Sequence, residues 1–241
     1  MRATELHVEL LEFCQDAERL LYAAYKQCYS PRFAAEIWKE MGDEGRRRAF
    51  LREMLTSGHT SPLEHVKFTF AIEGVSRALS HQLVRYRIAS YSQQSQRYVN
   101  MEDFRYIIPP SIEEDEELRG EFERVLEEIR KGYRKIVERF REKGIVGEEA
   151  HQDARFLLPQ AAETKIVVTM NCRELLHFFS ERCCQRAQWE IRRLAERMLS
   201  ICKEKLPVVF EKAGPKCEIL GYCPEGRFSC GRYPTREEVL R

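Results

Sequence analysis

Residues 66–72 read V-K-F-T-F-A-I, with Val66, Phe68, Phe70 and Ile72 alternating against Lys67, Thr69 and Ala71. A period of two over this length is the pattern of a strand with one buried face, so the stretch commits the fold to a sheet. Upstream, H-T-S-P-L-E-H (residues 59–65) places Pro62 directly after Ser61 and Glu64 three residues beyond that serine, the signature of a capping box on a short helical turn. Downstream of Gly74, Ser76 is positioned to cap a helix from Arg77 to about Arg87. On it Leu79 and Leu83 share one face, while Gln82 and Arg85, three apart, project from another. A second strand reads from Thr164 to Met170, T-K-I-V-V-T-M, rich in β-branched residues.

Working outward, partial alternation from Glu5 to Phe13 predicts a further strand, and Asp16 opens a helix to about Cys28. Helices follow over Ala34–Met41 and from Asp43 to Ser57, the latter ended by Gly58 as a left-handed cap. Ser111 and Glu114 form a second capping-box pattern. After it Leu118, Phe122, Val125, Leu126, Ile129, Tyr133, Ile136, Val137 and Phe140 recur three or four apart up to Gly144, which predicts a long amphipathic helix. A short helix spans Glu148 to Leu157, and a helical pattern runs from Asn171 to about Lys205, ended by Leu206-Pro207. The expected fold class is α+β: a central sheet packed with several helices, one of them long and amphipathic. From Gly214 the composition turns to Gly, Pro and Cys, which separates a tail, 214–241, from a body spanning 1–213.

Composition excludes several function classes. Lys plus Arg (40) nearly balances Asp plus Glu (39) in 241 residues, so no global field draws the chain to nucleic acid or to a membrane surface. No apolar run approaches the ~20 residues of a membrane helix. Nine cysteines without a C-x-x-C pair, and an N-terminus without an apolar leader, point to a reduced, cytoplasmic chain. Cys217, Cys223 and Cys230 are separated by five and six residues with no nearby histidine and lack the close ligand pairs of a zinc site, so no metal is expected. Cys183 and Cys184 read as packing residues. No P-loop, G-x-G-x-x-G or Ser-His-Asp order is present.

Polar chemistry concentrates between Gln82 and Tyr98, Q-L-V-R-Y-R-I-A-S-Y-S-Q-Q-S-Q-R-Y. Arg85, Arg87 and Arg97 offer donor forks for phosphate or carboxylate. The serines and glutamines between them could read the edge of a heterocycle, with Tyr86, Tyr91 and Tyr98 available to stack on its faces. The segment Ser90 to Arg97 reads as irregular or extended. These residues fit a nucleotide; they equally fit a solvated turn whose arginines pair with surface carboxylates, or a strip that stacks single-stranded RNA. The RNA reading gives no account of Arg155, Arg173, His177 and Arg182, and the near-neutral chain lacks a basic footprint. Arg173 and His177, four apart, and Arg182 beyond them could line one groove, although a histidine beside Phe178 and Phe179 also reads as a satisfied core imidazole.

Residues 85–98, R-Y-R-I-A-S-Y-S-Q-Q-S-Q-R-Y, resemble the signature of flavin-dependent thymidylate synthases, an R-H-R followed after seven residues by serine. Arg85, Arg87 and Ser95 keep its spacing. The resemblance extends through A-A-Y-K-Q-C-Y-S (23–30), H-T-S-P-L-E-H, A-R-F-L-L-P (154–159), N-C-R (171–173) and A-Q-W-E-I (187–191), in order over roughly residues 16–212. It implies that 1–213 is a catalytic domain of α+β subunits assembled as a homotetramer, with active sites between subunits that bind FAD, dUMP and a folate. The implied reaction is reductive methylation of dUMP to dTMP, with 5,10-methylenetetrahydrofolate as one-carbon donor and NADPH-reduced FAD as hydride source, releasing tetrahydrofolate. By position, Ser61, Arg85, Tyr86, Arg87, Gln93, Asn171, Cys172, Arg173 and His177 would contact FAD. Gln82, Leu83, Val84 and Arg85, with Gln93, Gln94, Ser95, Gln96 and Arg97, would hold dUMP. Arg155 would add to that site from another subunit, and Arg182 would act on the uracil ring as the catalytic residue. Tyr86 stands where the motif has histidine, and Gln93 where many members have glutamate.

Overall fold

The computed structural model describes residues 3–40 and 42–240. Their regular elements follow as β1 (His7–Phe13), α1 (Ala17–Gln27), α2 (Ala34–Lys39), α3 (Glu44–Thr56), a 3-10 turn (Ser61–His65), β2 (Lys67–Ser76), α4 (Arg77–Leu83) and β3 (Ala89–Gln93). After these come α5 (Pro110–Glu113), α6 (Glu116–Glu142), α7 (Glu148–Ala154), a 3-10 turn (Arg155–Leu157), β4 (Glu163–Asn171), α8 (Cys172–Arg182) and α9 (Trp189–Lys205). The chain closes with α10 (Pro207–Phe210), α11 (Lys216–Leu220), a 3-10 turn (Gly226–Phe228) and α12 (Arg236–Val239). The mixed helix-and-sheet class expected from the sequence is present. Met41, the last residue of the second predicted helix, lies outside the described residues.

The sheet order is β1-β2-β4-β3. Thr69 meets Thr169 through their hydroxyls at 2.9 Å and Lys165 meets Glu73 at 2.7 Å; numbers rise along β2 as they fall along β4, so this pair is antiparallel. β2 continues beyond Ile72, where the alternation ends, through Gly74 to Ser76. Gly74 makes this possible. Its φ is +68°, and a Cβ there would lie 1.7 Å from the Glu5 carbonyl oxygen. Its N–H donates to Glu163 Oε1 at 3.1 Å, while Glu163 Oε2 takes the Arg105 Nε at 2.7 Å.

The chain forms two compact units. One comprises the residues through His7 with Ala71–Arg85 and Tyr91–Val167. Its core holds Met101, Phe104, Tyr106, Leu126, Tyr133, Val137, Ala154 and Ala162. α6 runs 27 residues and turns Leu126, Tyr133 and Val137 inward, four to seven apart as one helix face requires, each worth about 1.5–3 kcal/mol on burial. The Ser111 capping box does not form. α5 already starts at Pro110, and Asp115 caps α6 by accepting from the Glu117 and Leu118 N–H groups.

The other unit comprises Val8–Phe70, Tyr86–Ser90 and the chain from Val168 onward. Its core stacks Phe68 on Phe70 and sets Phe210 edge-on to Phe68 and Phe179. The Ser61 hydroxyl faces His59 Nε2 at 3.2 Å and caps nothing; a single 3-10 turn leaves it no α-helical N–H to accept from. The pattern from Asn171 to Lys205 is two helices. Gln188 accepts from the Glu190 and Ile191 N–H groups and so starts α9 afresh, which leaves Arg182 in the last turn of α8 and Cys183 and Cys184 beyond it.

Replacing Gly74 with alanine should lower the unfolding free energy by at least ~2 kcal/mol, because positive φ and a backbone clash act together. Urea unfolding of both proteins would measure it; an unchanged midpoint would contradict this role for Gly74.

Candidate functional site

α8 fixes one group of polar residues. Asn171 Oδ1 accepts from the Glu174 N–H at 2.8 Å and starts the helix. Cys172, Leu175, Phe178 and Phe179 then fill the core side, which leaves Arg173 and His177 exposed four residues apart. Arg173 donates to Glu64 at 2.5 Å, both groups about half exposed, and such a pair is weakly held. Cys172 offers no ligand contact through its side chain: it is fully buried, burial pushes its thiol far up, and its N–H is spent on the Val66 carbonyl. Ser61 keeps the hydroxyl contact to His59.

Tyr86 comes to the same helix. Its ring is 5% exposed, edge-on to Phe178 at 4.9 Å and to His177 at 5.7 Å between centroids. Its hydroxyl accepts from Arg182 Nε at 2.7 Å and donates to Glu181 Oε2 at 3.4 Å. Burial pushes the phenol up to about 12; the charge and hydrogen bond of Arg182 oppose this, and Glu181 adds to it. At neutral pH Tyr86 is therefore uncharged and takes one N–H of the Arg182 fork. Burial acts to raise the Glu181 carboxyl, but the Lys216 ammonium at 3.2 Å and then His177 and Arg182 hold it below the usual range. Arg87 is exposed and, among the described residues, meets no carboxylate.

The other unit holds the second group. α4 ends at Leu83, earlier than the predicted Arg87, so Gln82 and Arg85 do not share a helix face. Val84 closes the last turn, and Tyr91 Oη donates to the Leu83 carbonyl at 2.9 Å. Leu83 is buried, whereas Val84 and Arg85 are exposed. Of the irregular or extended chain expected from Ser90 to Arg97, the first part is extended: Ala89–Gln93 is a strand, and the Gln94 N–H continues its pairing to Lys165 O of β4 at 2.8 Å. Gln93 Nε2 donates to Thr164 Oγ1 at 3.0 Å. Next the chain turns: Ser95 Oγ accepts from the Arg97 N–H at 3.2 Å, and Ser95 O from the Val99 N–H at 3.1 Å. Arg97 reaches Glu148 with one guanidinium nitrogen at 3.2 Å. Among the described residues Gln96 Nε2 and Arg97 Nε are buried with no hydrogen-bond partner, donors that a protein seldom leaves unused without a ligand to take them.

Arg155 donates to the Gln152 carbonyl at 3.2 Å and is exposed beside Phe156, whose ring is 85% exposed. Its charge, after burial, lowers the pKa of Arg77, and neither arginine meets a carboxylate among the described residues. Two neighbouring guanidiniums of this kind favour an anion. The sequence does not announce Arg77 or Glu181: Arg77 is simply the first residue of a helix in the pattern, and nothing near Glu181 in sequence points to Tyr86, which lies 95 residues away.

Comparison with known proteins covers most of the chain. Residues 9–208 match the family described as "Thymidylate synthase complementing protein". The chain is 55% identical to the flavin-dependent thymidylate synthase of Nitratidesulfovibrio vulgaris over 99% of its own length and 100% of that protein's. It is 49% identical to that of Clostridium tetani over 96% of each. Among solved structures, a UMP/dUMP methylase, PolB, from Streptomyces cacaoi bound with 5-Br dUMP shares the fold, with a TM-score of 0.68 at 23% identity over 86% of this chain and 94% of that one.

The Tyr86 geometry has a spectroscopic consequence. Its protonated form is favoured in the folded state, so its stabilising effect persists through neutral pH and is lost only as pH rises from about 10 towards about 12. An ultraviolet titration should show a late phenol ionisation that is absent in Tyr86→Phe; identical titrations of the two proteins would contradict this burial.

Proposed function

The chain belongs to the thymidylate synthase complementing protein family, that of the flavin-dependent thymidylate synthases, and from that membership we propose that it converts dUMP to dTMP by reductive methylation. 5,10-Methylenetetrahydrofolate is the one-carbon donor, NADPH the reductant, and tetrahydrofolate the folate product. The observation that carries the substrate is the turn at 94–97, where Gln96 Nε2 and Arg97 Nε are buried and unpartnered. With Ser95, Gln82, Arg85, Gln93 and Gln94 they form a donor set for a nucleoside monophosphate. Arg155, exposed beside Phe156 and close to Arg77, supports service of its anion site to a neighbouring copy in a homotetramer, since so exposed an aromatic edge favours burial against another surface.

The donors of Ser61, Asn171, Arg173 and His177, with the charge of Arg87, which meets no carboxylate among the described residues, fit FAD: a cation suits its pyrophosphate, and amide and imidazole groups suit its ring edge. When bound, FAD supplies the hydride chemistry. The residues of the chain do the remainder. Arg182, with one N–H given to Tyr86, presents its other donors to the uracil. A guanidinium there stabilises the ring with N3 deprotonated and makes C5 more nucleophilic without a covalent adduct. Ser95, its oxygen already accepting from the Arg97 N–H, has no base beside it in the turn and serves binding rather than attack. Residues 1–213 act as the catalytic domain and 214–241 as an appended tail. All nine cysteines are free, and no described helix is long and apolar enough to cross a membrane; both features suit a cytoplasmic enzyme.

The purified protein should absorb as a flavoprotein, bleach with NADPH in the absence of oxygen, and recover colour with dTMP formation only when dUMP and methylenetetrahydrofolate are both supplied. Protein that takes up no FAD and forms no dTMP would contradict the proposal. Arg97→Ala should weaken dUMP about 10–100-fold, the loss expected for a charge-assisted contact, and leave FAD uptake intact in the visible spectrum.

A further inference from the structure

At the end of α8 the C-terminal segment folds back on the residues around Arg182. Glu181 and Lys216 pair at 3.2 Å and Arg186 donates to the Phe228 carbonyl at 2.6 Å, while Arg232 and Glu218 pair at 2.6 Å within the segment itself. Here a cavity of about 290 Å³ has Cys184, Cys217, Cys223 and Cys230 in its walls, with Arg182 and Arg186. Four of nine thiols therefore gather at one place, and the proposed reaction uses none of them.

The thiols differ. Cys217 is buried, and burial followed by the nearby Cys184 holds its thiol above the ordinary range. Cys184 is half-buried and opens on the same cavity as Cys217, so a reagent in the cavity reaches it more readily than the buried Cys217. The Glu181–Lys216 contact ties the neighbour of Cys217 to the residue one helical turn before Cys184. Among the described residues, no group of three or more His, Cys, Asp or Glu side chains could hold a metal ion, whereas a disulfide asks for only two thiols at close range.

We propose that Cys184 and Cys217 form a reversible redox pair, which a low-molecular-weight disulfide such as glutathione disulfide oxidises to a bond fastening the C-terminal segment to the end of α8. The Cys184 thiolate attacks one sulfur of glutathione disulfide; that S–S bond breaks, one glutathione thiolate leaves, and a mixed disulfide forms on Cys184. Cys217 then gives its proton to solvent, attacks Cys184 Sγ and expels the second glutathione. Two protein thiols lose two electrons and two protons, and the reagent is reduced to two thiols.

The test exposes the full chain to glutathione disulfide without oxygen, quenches it in acid, alkylates the remaining thiols and maps peptides by mass. The wild type should lose two of its nine thiols as one Cys184–Cys217 cross-link, and dithiothreitol should restore both. Cys217→Ser should trap glutathione on Cys184, and Cys184→Ser should leave Cys217 unmodified. A cross-link from Cys217 to Cys223 or Cys230, retention of all nine thiols, or stoichiometric zinc protecting this cluster would each overturn the proposal. The readout is thiol content in the wild-type protein, so it depends neither on turnover nor on the variants folding.

Discussion

One hydrogen bond, from Arg182 Nε to the Tyr86 hydroxyl at 2.7 Å, sets the direction of the guanidinium on which the proposed chemistry turns. Hydrogen bonds to a charged group are worth about 1.5–3 kcal/mol, enough to select one orientation of a long side chain. The partner is itself fixed, because the Tyr86 ring is buried edge-on against Phe178 and stays neutral until strongly alkaline pH. Glu181, anchored by Lys216, accepts the hydrogen bond of the hydroxyl. The chain of dependence thus runs from the apolar face of α8, which buries Phe178 and Phe179, to the phenol and then to the arginine.

This explains what tyrosine can do where the family motif carries histidine. An imidazole would titrate near neutral pH, whereas a buried phenol offers a constant acceptor across the physiological range. The substitution keeps an aromatic ring against His177 and keeps a polar atom for Arg182. The turn at 94–97, proposed to hold the nucleotide, is organised differently. There Ser95 holds the backbone, while buried donors on Gln96 and Arg97 await a partner, so binding energy would come from groups already desolvated in the free protein.

Much of the fold was legible. The alternation of Val66–Ile72 and the β-branched run of Thr164–Met170 located the two central strands, because period two is a property of the pleat itself. Element ends were less legible. Gly74 carries β2 onward through a positive φ and a close approach to Glu5 that alternation does not register, and Arg85 leaves its predicted helix where the chain carries Tyr86 into a core. Gln188 divides α8 from α9 through a side-chain cap that periodicity does not register. In the site, motif spacing pointed to Arg85, Arg87, Ser95 and Arg182. It could not show that Cys172 is turned inward, that Arg77 lies near Arg155, or that Glu181 meets Tyr86, since each depends on residues far apart in the chain.

The central claim is that Arg182 favours a uracil ring deprotonated at N3. Nitrogen NMR of dUMP isotopically labelled at N3, bound to the wild type and to Arg182→Ala over a range of pH, tests it most directly. In the wild type the bound ring should lose its N3 proton at lower pH than the free nucleotide, and in the variant the ionisation should return towards the free value. The same N3 ionisation in both proteins, with dUMP demonstrably bound, would contradict the role assigned to Arg182.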